Sequence, residues 1–458
     1  MLKSPHPVVI IGAGPVGLAA AAHLVERQEP FLVLEAGATA GASILEWAHV
    51  RVFSPWTYNI DPASARLLAA EGWTPPPGEH FPTGAELVQR YLSPLAAHAA
   101  IRPHVRYGTR VTGVGRAGMD RMKTPGRERA PFAVRVETAA SKLETADGPT
   151  EIFARAVIDA SGTYRTPNPL GAGGYPAAGE ISLSDRIVYG IPDVLGRDRA
   201  RYQGRRVAVA GSGHSAMNVL LDLLELAGEA PGGRVIWIVR RKNLARVYGG
   251  ERTDQLPERG RLGARLHEAV DSGLVEVVTG FDIASLRRDA AGIVIASTGA
   301  GVGAGANANR TLDAVDEVVA ATGFRPDRAM TSEVRLDLDP IVESPRALAP
   351  LIDPNVHSCG TVPPHGAREL SHPEPDFYTV GMKSYGRAPT FLLRTGYEQV
   401  RSVVCALVGD EEGARRVELT LPETGVCSTD RVLALTPSDA CCTPLPASAG
   451  ESRCCGST

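Results

Sequence analysis

Two periods of hydrophobicity alternate along the first 35 residues. Residues 7–11 (PVVII) are an unbroken apolar run, as expected of a short strand covered on both faces. Residues 15–28 (PVGLAAAAHLVERQ) continue as a helix whose polar end runs from Glu26 to Gln28, and residues 30–35 (PFLVLE) are a second apolar strand closed by Glu35. Strand, helix and strand in that order predict a βαβ unit with parallel pairing. The same order returns at residues 205–228 (RRVAVAGSGHSAMNVLLDLLELAG) and 234–241 (RVIWIVRR). The pattern predicts an α/β protein with two Rossmann-like dinucleotide-binding domains.

Each strand-to-helix turn carries the same spacing: Gly12, Gly14 and Gly17 in GAGPVG, and Gly211, Gly213 and Ala216 in GSGHSA. The first glycine allows a tight turn, and the second lets the main chain approach a pyrophosphate. A small third residue lets helix and strand pack closely, with the helix N-terminal N–H groups facing the phosphates. A glycine-rich turn with no ligand is the plainer alternative; the flanking strands, the helix and the terminal carboxylate weigh against it. Glu35 suits the hydroxyls of a ribose, whereas Arg240, Arg241 and Lys242 suit a 2′-phosphate. The first unit therefore reads as an FAD site and the second as an NADPH site, a solvated basic strand end being the alternative for Arg240 and Arg241.

Two further apolar runs end in a glycine and a proline-bearing exit: residues 157–169 (VIDASGTYRTPNP) and 318–327 (VVAATGFRPD), the latter carrying Gly323. They flank the second unit, as they would if an NADPH domain were inserted into an FAD domain. The expected division is residues 5–167 for the first part of the FAD domain, 168–320 for the NADPH domain, 321–410 for the return of the FAD domain, and 411–458 for a flexible, disordered cysteine-rich tail. The stretches 115–129 and 299–309, rich in Gly, Ala, Pro and charge, read as mobile hairpin tips without chemistry.

Composition narrows the function classes. With 458 residues and 43% hydrophobic content, the chain can bury several cores. Its 48 basic and 51 acidic residues leave a formal charge of −3, which offers no general attraction to nucleic acid or an anionic membrane. No apolar run attains the roughly 18–20 residues of a membrane span. The run from Val8 to Ala22 is interrupted by Gly12, Gly14, Pro15 and Gly17 and lacks a secretory cleavage pattern, so the expected location is cytoplasmic. The 7 cysteines are an odd number, and most lie near the C-terminus, which argues against a disulfide framework.

With both fingerprints in this order and ATGFRPD at the return, the chain resembles the two-dinucleotide-binding-domain flavoproteins, class B flavin monooxygenases in particular, over about Pro7 to Asp410. The stretches HFPTGAELVQRYLSPLA, CGTVPPHGARELSHPEPDFYTVGMKSYGRAPTFLLRTGYEQVRSV and LPETGVCS resemble the flavoprotein monooxygenases of bacterial arsenic-resistance operons. The resemblance implies that FAD, reduced by NADPH, reacts with oxygen to give a flavin hydroperoxide that oxidises a soft nucleophilic small molecule. It implies that Gly12, Gly14, Gly17 and Glu35 hold the ADP half of FAD with Val111 near the adenine, and that Gly381 and Met382 lie by the flavin or its ribityl chain. Gly323 joins the cofactor-binding set, and Gly211, Gly213, Ser215, Ala216, Arg240 and Arg241 hold NADPH. The FxGxxxHxxx(Y/F) pattern usual in that class is echoed only at Gly179 and Tyr189, with no histidine, which leaves an oxidase or a reductase open.

Cys359, next to Gly360 and near His357 and His365, is a candidate thiolate or soft ligand, with an ordinary loop cysteine as the alternative. Cys405 sits in an apolar helix and reads as inert packing. No cysteine pair accompanies the first helix, which counts against a reductase that exchanges electrons with an adjacent dithiol. Lys383 and Arg387 flank SYG after the expected flavin strand and are candidate cations for reduced flavin or an anionic substrate, the alternative being surface charge. Trp56, Tyr58, His80 and Phe81 are candidates for the flavin face or for plain core. Cys427, Cys441, Cys442, Cys454 and Cys455 are candidate ligands for a thiophilic ion such as a trivalent metalloid. The combined expectation is a monooxygenase that uses FAD, NADPH and oxygen on a thiophilic substrate such as trivalent arsenic or antimony compounds. Oxygenation of an organic amine, sulfide or ketone, and metalloid sequestration without turnover, are the alternatives.

Overall fold

The computed structural model describes residues 5–138, 150–229, 232–244, 247–249, 257–298, 309–355, 362–388 and 391–419. The strands of its first half are β1 (Val8–Ile11), β2 (Phe31–Leu34), β3 (Val105–Arg106), β4 (Thr109–Arg116), β5 (Phe132–Thr138), β6 (Thr150–Ala154) and β7 (Ala156–Asp159). Then come β8 (Ile187–Tyr189), β9 (Arg206–Ala210), β10 (Arg234–Val239), β11 (Glu276–Thr279), β12 (Ile283–Asp289), β13 (Gly292–Ser297), β14 (Glu317–Ala320) and β15 (Phe377–Thr379). Two parallel sheets form, in the orders β15-β7-β1-β2-β3 and β11-β10-β9-β14-β8. Read from opposite ends the two orders are one topology, so β1 matches β9, β2 matches β10 and β7 matches β14. This is the doubled α/β architecture that the hydrophobic periods predict.

Every residue of β1, β7 and β14 is buried, as parallel strands must be when both sheet faces are covered. On one face of the first sheet, helix α1 (Pro15–Glu26) shares a core with Val8, Ile10 and Ile158. The antiparallel sheet β4-β5-β6 covers the other face, packing Val114, Phe132 and Val134 against Val9, Val157 and Phe377. The second sheet repeats the plan: helix α2 (His214–Glu229) lays Leu220 and Leu223 on Val207 and Val209, and the β12–β13 hairpin covers the far face. A third helix, α3 (Leu393–Leu407), joins the core of α1 through Val400, Val403 and Val404.

The two exits flanking the second unit run side by side. Asn168 N–H donates to the Gly323 carbonyl (2.9 Å) and Arg325 N–H to the Thr166 carbonyl (3.0 Å). Side chains reinforce the pairing, with Asn168 Nδ2 to the Thr322 carbonyl (3.1 Å) and Thr322 Oγ1 to the Asn168 carbonyl (2.5 Å).

Two expectations change. Residues 115–129 are not a free hairpin tip: Gly115 and Arg116 complete β4, and Arg127 is buried. Arg116 Nε and Arg127 Nη2 approach the Glu374 carboxylate at 2.8 and 2.7 Å, and this buried triad pins the loop to the return segment. The stretch 299–308 lies outside the described residues. Residues 411–419, assigned above to the tail, are packed: helix α4 (Glu411–Arg415) is capped by Asp410, and Arg401 of α3 donates to the Gly413 carbonyl at 2.7 Å. Among the described residues no helix is long and apolar enough to cross a membrane.

Candidate functional site

Both glycine turns leave open space in front of a helix start. Gly12 has φ +101° and Gly211 φ +138°, and a β-carbon at either would press on a backbone carbonyl, of Ala160 at 2.9 Å and of Ala321 at 2.3 Å. A β-carbon at Gly14 or Gly213 would meet nothing within 4 Å, so open space stands in front of each helix start. Gly14 caps α1 with no side chain and Pro15 opens the helix, which leaves first-turn N–H groups facing that space. The arrangement fits the diphosphate of a dinucleotide at both turns.

The strand ends set the charge of each cradle. Glu35 follows β2, and its carboxylate accepts the N–H groups of Ala13 (2.7 Å) and Gly37 (2.6 Å), which fixes it beside the first turn. Val111 lies on β4 two residues past Thr109, whose N–H donates to the Glu35 carbonyl, so the first cradle gathers Gly12, Gly14, Glu35 and Val111. Register places Leu34 beside Ile11 and Ile238 beside Ala210, so the residue matching Glu35 is buried Val239. Arg240 and Arg241 follow it, both exposed, and no carboxylate among the described residues pairs with either. That is the charge a 2′-phosphate needs. Ser215 and Ala216 lie in the first turn of α2, Ala216 fully buried.

Phe53 of the first unit and His214 at the start of α2 bring the two units together, their rings 5.1 Å apart. Arg165, in the turn that follows β7, pairs with Glu46 at 2.6 Å. Gly381 (φ +67°) and half-buried Met382 begin a turn after β15, where a β-carbon on Gly381 would lie 3.3 Å from Val16 of α1. Gly323 belongs to the paired exits, its carbonyl held by Asn168.

The candidate cations behave differently from expectation. Lys383 is neither a surface charge nor a free cation: it is buried, with Nζ 2.8 Å from Asp159 Oδ2 and 3.0 Å from Ser161 Oγ. Burial pushes the Asp159 carboxyl up, but the Lys383 ammonium and Ser161 outweigh it, and the group sits below its usual range. Arg387 is exposed and pairs with Glu343 at 2.7 Å. Trp56 is buried core, Tyr58 lies under Arg394, and His80 is exposed. Cys405 is buried, with its thiol pushed up by desolvation. Cys359, His357 and Cys427, Cys441, Cys442, Cys454 and Cys455 lie outside the described residues.

Sequence reasoning missed three polar anchors. Gln399 of α3 accepts the Gly381 N–H (2.7 Å) and bonds His365 Nε2 (2.8 Å), clamping the turn after β15. Burial holds the His365 imidazole below its usual range, so it stands neutral in that relay. Glu180, buried beside Gly179, accepts the N–H groups of Leu170 and Ala177 and the Tyr189 hydroxyl at 2.8, 2.6 and 2.5 Å. Gly179 and Tyr189, singled out above, thus belong to a clip that shapes the exit strand.

A family model described as pyridine nucleotide-disulphide oxidoreductase matches residues 9–122. Indole-3-pyruvate monooxygenase YUCCA8 of Oryza sativa subsp. indica is 30% identical over 218 residues, 47% of this chain and 45% of that protein. The match therefore spans less than half the length of that curated relative. Bacillithiol disulfide reductase Bdr (YpdA) from Bacillus cereus is similar in structure over 89% of this chain and 99% of its own, at TM-score 0.63 and 17% identity. The FAD-bound cadaverine monooxygenase DfoA from Erwinia amylovora covers 92% of this chain and 99% of its own, at TM-score 0.59 and 15% identity. The chain shares the fold of these two structures, with two Rossmann-like domains built on parallel sheets.

Proposed function

We propose that the chain is an FAD- and NADPH-dependent oxidoreductase that works as a flavin monooxygenase on a small molecule, with oxygen as co-substrate. The observation that carries this reading is the pair of matched cradles with different strand-end charge, linked by the ring contact of Phe53 and His214. FAD in the first cradle supplies hydride acceptance and electron delivery to oxygen. The first α1 turn faces its diphosphate, Glu35 takes a ribose, and the turn at Gly381 and Met382 abuts the α1 start. Ser215 and the α2 start take the NADPH diphosphate, and Arg240 and Arg241 its 2′-phosphate. The domain division at 167 and 320 goes with this assignment, the return part of the FAD domain running on past 410 through the helix at 411–415. A disulfide reductase is disfavoured because no cysteine precedes Cys359 in the chain, so the first helix has no dithiol beside it in sequence.

The substrate reading is a thiophilic one, trivalent arsenic or antimony compounds collected by the C-terminal thiols. Its support is the resemblance of three stretches and the cysteines at 427, 441, 442, 454 and 455. The names of YUCCA8 and DfoA favour a second reading, in which an organic amine, sulfide or ketone is oxygenated. The test is NADPH oxidation and oxygen uptake by the purified FAD-loaded chain with arsenite, methylarsenite or antimonite, with peroxide assayed alongside. Metalloid-stimulated turnover with little peroxide is expected. Metalloid-independent turnover that only makes peroxide would move the assignment to the organic class, and metalloid uptake without NADPH consumption would make the chain a binder.

A further inference from the structure

An open cleft of about 350 Å³ lies between the return segment and the loop that follows β4. Its polar wall is Arg121, Arg328, Thr331, Ser332, Asp337 and Arg346, none of them in a glycine turn. Arg346 Nε lies 2.7 Å from Asp337 Oδ1, so those two charges cancel. Arg121 and Arg328 have no carboxylate within ion-pair distance among the described residues. The carboxylates whose charge reaches Arg328 are taken: Asp159 by Lys383 at 2.8 Å and Glu343 by Arg387 at 2.7 Å.

Arg328 is held in place by neutral acceptors only. Its Nη2 donates to the Glu343 carbonyl at 2.9 Å and reaches the Lys383 carbonyl at 3.4 Å, Nη1 reaches Thr379 Oγ1 at 3.5 Å, and Nε is buried with no acceptor. Behind the wall, His372 Nδ1 accepts the Asp337 N–H at 3.3 Å, which leaves the proton of the neutral ring on Nε2. That Nε2 is also buried with no partner. The wall of the cleft therefore carries two guanidinium groups with no carboxylate in ion-pair contact, Arg121 and Arg328, with Glu333 held nearby by the Arg121 N–H at 2.7 Å; the orphan Arg328 Nε and His372 Nε2 lie buried behind them.

We propose that this cavity binds a small multivalent oxyanion, a phosphate ester or a polycarboxylate, with its charge between Arg121 and Arg328. Guanidinium forks match such oxygens in pairs, and the exposed Ser332 hydroxyl adds a donor at the rim.

The test is titration calorimetry of the full-length, FAD-loaded chain with inorganic pyrophosphate and, separately, citrate. One site per chain that persists in Gly213→Val, apart from any binding at the second cradle, is expected for at least one probe, pyrophosphate alone marking a phosphate ester and citrate alone a polycarboxylate. Arg121→Gln and Ser332→Glu, both at exposed positions, should each weaken it about tenfold or more, the worth of one charge-assisted contact. Arg328→Met should abolish it, and FAD content reports whether that variant folds; if it does not, Arg121→Gln carries the test. Gly213→Val, which fills the second cradle, should leave binding unchanged. Absence of binding to both probes at millimolar concentration overturns the proposal. So does binding that survives Arg121→Gln and Ser332→Glu but is lost in Gly213→Val.

Discussion

The two cradles share one topology and one turn, yet each is underpinned differently. A β-carbon at Gly17 would stand 2.0 Å from the Gly12 carbonyl oxygen, whereas the matching position of the second cradle carries Ala216. There the Gly211 carbonyl accepts the Trp237 indole N–H at 2.7 Å, and register matches Trp237 to Val33, which has nothing to donate. One strand over, Asp159 beside Ile11 matches Ala320 beside Ala210. The first cradle thus rests on close glycine packing and a buried ion pair, the second on an aromatic donor and apolar contact. The same backbone task has two physical solutions, and they should fail in different ways.

The largest expected break is Asp159→Ala. It leaves the Lys383 ammonium buried without its partner, which costs about 3–5 kcal/mol, while Asp159→Ala with Lys383→Met recovers much of the loss in a denaturant titration. The pH profile sharpens the point. Because the folded carboxyl titrates below its usual range, its contribution is fully present above the unfolded value of about 4 and is lost as pH falls through the folded value. Asp159→Ala should flatten that acid limb, and Ala320→Ser in the second cradle should leave it unchanged.

Next comes Gly17→Ala, where a backbone carbonyl must move to admit one methyl group, at about 1–3 kcal/mol, with FAD content falling in the purified protein. The reciprocal Ala216→Gly should cost no more than about 1 kcal/mol of helix stability and leave FAD content intact. Arg240→Ala with Arg241→Ala should raise the KM for NADPH about tenfold, the worth of one charge-assisted contact, and leave NADH almost untouched. Equal effects on both nucleotides would remove the basis for assigning the second cradle to NADPH. The smallest effect is Trp237→Phe, which removes one hydrogen bond worth about 1 kcal/mol and loosens only the second cradle, read as a lower melting temperature with unchanged FAD content.

What was legible in the sequence is what local periodicity encodes. The runs around Val8, Phe31, Val207 and Val235 predict their strands, and the glycine spacing places both turns, because each needs contacts only a few residues apart. The polar anchors were illegible for the opposite reason. Arg116 and Arg127 meet Glu374 across more than 240 residues, and Lys383 meets Ser161 across 222, so no short pattern betrays them. Residues 115–129 looked like a free loop because arginine-rich, glycine-rich composition does not say which arginine is buried. Lys383 reads from the sequence as a cation for flavin or an anionic substrate, or as surface charge, because no local pattern ties it to Asp159.

The paired exits carry a mechanical consequence. Two chain crossings laid antiparallel and joined by hydrogen bonds at Asn168, Gly323, Thr166 and Arg325 act like two pins of one door. A single tether would permit swivel in every direction, whereas a doubled one resists torsion and leaves bending about the line through both crossings as the soft coordinate. The Phe53 and His214 rings touch across the units joined in this way, so bending about that line is the movement that would part them.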